Sequence, residues 1–127
     1  MSLRSHRALA PALPVLALLA GCAHATSVPG AGYEEGEASF YGESLEGRRT
    51  ASGAPFDSKA YTCAHRRLPF GTRLRVLDLE TGRKTEVVVT DRGPFVRGRI
   101  IDLSLAAARQ LGIVKRGRAR VRIEILQ

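Results

Sequence analysis

The sequence is written in short stretches that alternate charged with apolar residues, each closed by a turn. Arg73 to Leu79 places Leu74 and Val76 between Arg73, Arg75 and Leu77, the pattern of a strand buried on one face. Thr81-Gly82 turns the chain, and Lys84 to Thr90 returns as the hairpin partner. Gly36 to Gly42, Tyr61 to His65 and Ala119 to Leu126 read as further strands, the last with Val121, Ile123 and Ile125 in alternation. Asp102 to Gly112 is the one helical segment. Leu105, Ala108 and Leu111 share its face, Ser104 suits the N-cap, and Gly112 sits where a left-handed C-cap belongs. A domain of about 90 residues buries enough core only if such a sheet closes on itself. The pattern predicts a mainly β protein, a small closed barrel with one or two short helices.

The first residues belong to something else. Arg4, His6 and Arg7 precede an apolar run from Ala8 to Ala20. That run is too short to span a bilayer, which takes about 20 apolar residues, and it has the layout of a secretory leader. It closes on Leu19-Ala-Gly-Cys22, which resembles the lipobox of bacterial lipoproteins. The resemblance implies a leader over 1–21, lipid on Cys22, and a membrane anchor through that lipid. Ala23 beside it implies sorting to the outer membrane, with the domain facing the periplasm. Residues 22–35, rich in Ala, Gly, Ser and Pro, read as a tether, and the barrel is expected over 36–127. With Cys22 lipidated, Cys63 has no disulfide partner and reads as a small core residue.

The chain carries 20 Lys and Arg against 12 Asp and Glu, a net charge of +8. Loss of Arg4 and Arg7 with the leader leaves 18 − 12 = +6. Export argues against nucleic acid as the partner of this charge. An exported basic domain meets anionic wall polymers instead, among them glycan with lactyl and peptide carboxylates. His24 and His65 are too scattered for a metal cluster, and no glycine-rich phosphate loop is present. No cofactor is expected.

Between the hairpin and the helix lies Thr90-Asp-Arg-Gly-Pro-Phe-Val-Arg-Gly-Arg-Ile-Ile-Asp-Leu-Ser104. Here a β-branched run ends in Asp91, inside a turn rich in arginine and glycine. An Asp in such a turn caps backbone amides or faces a site, and both readings stand at this point.

Six pieces in order carry a family resemblance: Gly36 to Gly42, Thr50-Ala-Ser-Gly-Ala-Pro-Phe-Asp57, Thr62-Cys-Ala-His65, Leu68-Pro-Phe-Gly-Thr72, Asp91-Arg-Gly-Pro-Phe95 and Gly98 to Ser104. Together they resemble the rare lipoprotein A group, whose domain is a six-stranded double-psi β-barrel. The resemblance implies a periplasmic lytic transglycosylase acting on peptidoglycan glycan strands, or, as the alternative, a barrel that holds glycan without cutting it, as the similar expansins do. A monomer is expected. Many members have a Glu after the Thr-Ala-Ser-Gly segment, one of the acids credited with activity. Here Ala54 stands in that place. Many also carry a C-terminal glycan-binding domain for septal targeting, while this sequence stops at Gln127.

Such an enzyme breaks the MurNAc–GlcNAc bond without water. A carboxyl protonates the leaving oxygen, and the C6 hydroxyl attacks C1 to leave a 1,6-anhydro sugar. The resemblance makes Asp57, His65 and Asp91 the catalytic candidates. A general acid must hold its proton, and an Arg92 paired to Asp91 would favour the ionised form. Asp57 is therefore expected to be the acid and base, His65 its hydrogen-bonded proton partner, and Asp91 a positioning or electrostatic group. Tyr41, Thr50, Ser52 and Arg92 are the expected substrate contacts. Asp102, just ahead of the helix, reads as structural.

Overall fold

The computed structural model describes residues 32–126. The expected leader, Cys22 and the tether as far as residue 31 lie outside them. Six strands form a closed barrel: β1 (Tyr33–Phe40), β2 (Thr62–Ala64), β3 (Arg73–Asp78), β4 (Lys84–Asp91), β5 (Arg99–Leu103) and β6 (Ala119–Leu126), neighbouring in the order β1-β5-β2-β4-β3-β6. The β1–β5 and β2–β4 pairs are parallel and the other four antiparallel. The expected six-stranded double-psi barrel is the fold observed.

The alternation in the sequence becomes the inside and outside of this barrel. Leu74, Val76, Val87, Val89, Val121 and Ile123 point inward and are almost wholly buried. Cys63 is fully buried among them, and burial pushes its thiol above the ordinary range, as a core residue requires. Helix α1 (Leu105–Leu111) packs Leu105, Ala108 and Leu111 against the barrel. The Ser104 hydroxyl accepts the Ala107 N–H, and Gly112 at φ 79° closes the helix.

Most strand ends shift by a residue or two from the sequence reading, and three differences matter more. Strand β1 begins at Tyr33 rather than Gly36, because Tyr33 to Glu35 pair with Glu124 to Arg122 of β6. Asp102 and Leu103 belong to β5 and not to the helix, held there by pairing with Ser39 and Phe40 of β1. The loop after Gly42 contains a single 3-10 turn at Glu43–Leu45.

Strand pairing brings a row of residues to one end of the barrel. Ser39 of β1 lies beside Asp102 of β5, Asp102 beside Ala64 of β2, and Ala64 beside Asp91 of β4. A register irregularity between Cys63 and Ala64 falls at this point. Such irregularities twist a strand locally and re-aim the residues at its end.

Candidate functional site

Asp91 ends β4 half-buried, and three donors meet its carboxylate. Oδ2 accepts the Tyr41 hydroxyl at 2.8 Å. Oδ1 accepts the Ala51 N–H and the Arg92 N–H, each at 2.9 Å. Each donor comes from a different stretch: Tyr41 follows β1, Ala51 belongs to the long loop, and Arg92 opens the turn. The loop is pinned over the strand end a second time, by the Ser52 N–H donating to the Thr90 carbonyl at 3.1 Å.

Thr50 to Ala54 forms a tight turn that places this loop. The Thr50 hydroxyl donates to the Ala54 carbonyl at 2.6 Å and lies 2.9 Å from the Ser52 hydroxyl. Ala54 is exposed and contributes main chain alone to this network. Below the turn, Phe56 is buried and meets Tyr41 edge to face, with centroids 5.0 Å apart. Burial, then the hydrogen bond to Asp91, push the Tyr41 phenol pKa well above its ordinary value. Tyr41 is thus a fixed donor to the carboxylate.

These groups line a cavity of about 250 Å³. Tyr41, Asp91 and Phe56 form one part, and Leu45, Arg48, Arg49 and Thr50 the rest. Of the expected residues, Asp91, Tyr41 and Thr50 come together here. Ser52 reaches the cavity only through Thr50.

The other three sit differently. Asp57 is exposed, and its Oδ1 accepts the Lys59 N–H at 2.9 Å, closing its own turn. The expected hydrogen bond from His65 to Asp57 is not formed. His65 is buried, with Nδ1 accepting the N–H groups of Arg67 and Leu68, each at 3.1 Å, and Nε2 lying 3.0 Å from Glu34. Two backbone donors on Nδ1 fix the tautomer that donates from Nε2 to Glu34. Both ring nitrogens are occupied, so the ring holds the 65–68 loop instead of facing Asp57. The Arg92 guanidinium also turns away from the cavity. It donates to the carbonyls of His65 and Leu68, at 3.2 and 2.8 Å, and lies 4.0 Å over the Phe70 ring centroid. Arg92 pairs with neither Asp91 nor Asp102 through its side chain. Asp102 is held by Arg99 at 2.5 Å and by the Ser39 hydroxyl, contacts within the strands rather than with the helix N-terminus.

Four groups escaped the sequence reading: Glu34, Leu45, Phe56 and Phe70. Glu34 lay in the stretch read as tether, where only the β1–β6 pairing makes it a strand residue. The buried Phe56 was legible in principle, as the one aromatic residue of a polar loop between Gly42 and Ala60.

Residues 33–123 match the family model described as lytic transglycolase. The chain is 55% identical over 94 residues to the probable endolytic peptidoglycan transglycosylase RlpA of Nostoc sp., covering 72% of this chain and 25% of that protein. It is 48% identical over 103 residues to the endolytic peptidoglycan transglycosylase RlpA of Pasteurella multocida, covering 80% and 35%. The chain therefore matches about a quarter to a third of the length of these relatives. Among solved structures, the Streptomyces papain inhibitor superposes with a TM-score of 0.62 at 24% identity, over 79% of this chain and 99% of that one. A mutant expansin of Clavibacter michiganensis in complex with cellohexaose gives 0.60 at 19% identity, over 75% and 50%. These two likenesses are of fold.

Proposed function

This chain belongs to the lytic transglycolase family, and from that premise we propose that it is an endolytic peptidoglycan transglycosylase, cleaving MurNAc–GlcNAc bonds to leave 1,6-anhydro-MurNAc ends. The observation that carries the reading is the single carboxylate of Asp91 in a cavity of about 250 Å³, oriented by Tyr41, Ala51 and Arg92. We take Asp91, rather than the exposed Asp57, as the reacting carboxyl. One carboxyl suffices for this reaction. Holding a proton on Oδ2, with the Tyr41 hydroxyl then accepting instead of donating, it gives that proton to the leaving glycosidic oxygen and, as carboxylate, takes the proton of the C6 hydroxyl as that oxygen bonds to C1. The group ends in the state in which it began, and no water is consumed. An ordinary glycosidase activates water with a second carboxylate, so Ala54 is compatible with the chemistry. Tyr41 holds Asp91 in line, Thr50 offers a hydroxyl to the sugar, and His65 and Arg92 act as positioning residues behind the site. Lipid on Cys22 would tether the domain in the envelope, facing the periplasm.

Ala54 favours a second reading, a barrel that binds glycan without cutting it. Incubation of the full chain with purified sacculi, with sugars read by mass spectrometry, separates the two. New 1,6-anhydro ends are expected. Hydrolytic reducing ends would contradict the transglycosylase reading, and bound glycan without new ends would leave the binding barrel.

A further inference from the structure

Two cations of the cavity are left over once the site is assembled. Arg48 and Arg49 line the same cavity as Asp91. Their backbone is fixed: the Arg48 carbonyl accepts the Phe56 N–H at 2.7 Å, and Arg49 bridges to Pro55. Their guanidinia are not. Neither makes an ion pair or a side-chain hydrogen bond among the described residues; Arg66, Arg67, Arg97, Arg109 and Arg120 are also without an ion pair there, but only Arg48 and Arg49 of these line the cavity that holds Asp91. Among the described residues the acids nearest in sequence, Glu43 and Glu46, pair with neither, and Glu46 accepts the Ser58 N–H. Asp91 shares the cavity without pairing with either.

Arginine's planar fork suits a carboxylate, which it binds bidentately. We propose that Arg48 and Arg49 bind a carboxylate carried by the glycan, and so select carboxylate-bearing strands over neutral ones. This inference rests on the reading of the Asp91 cavity as a glycan site. Two sources share the chemistry. One is the lactyl carboxylate of a muramyl sugar without its peptide, and the other the carboxylates of an attached stem peptide. A carboxylate docked beside Arg48 and Arg49 would fix which sugar of the strand sits over Asp91, and hence which bond is cut.

The test measures binding of the full chain to four soluble probes by calorimetry. They are peptide-free strands, the same strands with their carboxyls amidated, peptide-bearing strands, and a neutral chito-oligosaccharide. The wild type is expected to bind at least one carboxylate-bearing strand about tenfold more tightly than the amidated strands, the worth of one charge-assisted contact. Preference for peptide-free strands identifies the lactyl group, and preference for peptide-bearing strands alone identifies the stem. The double variant Arg48→Gln, Arg49→Gln is expected to lose the preference and keep its affinity for the neutral oligosaccharide. Equal binding of charged and amidated strands by the wild type, or a preference that survives in the double variant, overturns the proposal. Binding to none of the four probes would instead remove the glycan reading on which it stands.

Discussion

Asp91 shows how much one side chain can organise. Its carboxylate gathers a phenol and two backbone N–H groups from three separate stretches of chain. The sequence offered two meanings for it, a turn cap or a site group, and the structure combines them. One oxygen caps the turn through Ala51 and Arg92, and the other meets Tyr41 on the cavity wall. The expected hydrogen bond from His65 to Asp57 is missing for a physical reason that spacing does not reveal. A strand-end histidine eight residues after Asp57 is free to pair with it, until two backbone donors occupy Nδ1 and Glu34 meets Nε2. Tyr41 yields a prediction at this scale. Its folded pKa lies above the unfolded value of 10.0, so the native phenol keeps a proton that the unfolded one loses. Its contribution to stability is whole below about pH 10 and falls as pH rises above it. Alkaline titration followed by tyrosinate absorbance should show one component delayed until the protein unfolds. Tyr41→Phe should remove it, and an unchanged late component would assign the delay elsewhere.

The elements were legible wherever one face is wet and the other buried. Strands β3, β4 and β6 and the helix announce themselves by alternation or capping. Strand β5 does not, because four of its five residues are buried and include Asp102 beside a helix N-cap. A run that is buried on both sides has no period to read, and Asp102-Leu103 was drawn into the neighbouring helix. The crossing of β1 and β5 depends on a small residue. A Cβ added at Gly36 would lie 2.6 Å from Ile100 Cγ2 and 3.3 Å from the Gly98 carbonyl. Ile100 is buried and β-branched, so it has little room to turn. Gly36→Ala is expected to destabilise the barrel by about 1–3 kcal/mol, the usual cost of overpacking, seen as a lower Tm. An unchanged Tm would mean that the parallel pair can separate without loss.

Closure is what the whole molecule adds. Six short strands and a seven-residue helix have no independent stability, yet the closed sheet leaves no open edge and encloses a single core. The same closure carries the function. Only when β4 pairs with β2, and β2 with β5, do the loop after β1 and the turn after β4 meet at one end of the barrel. The candidate carboxyls were therefore visible in the sequence, but not their division of labour. Asp57 and Asp91 are 34 positions apart in the chain, and the cavity belongs to one of them. Anhydro-end formation from sacculi by Asp91→Asn and Asp57→Asn, each matched to the wild type in thermal unfolding, tests this most directly. Asp91→Asn should lower the rate about 100-fold or more, the scale of general acid–base catalysis, while Asp57→Asn stays within a few-fold of wild type. The reverse order, with Asp57→Asn inactive and Asp91→Asn active, would contradict the account.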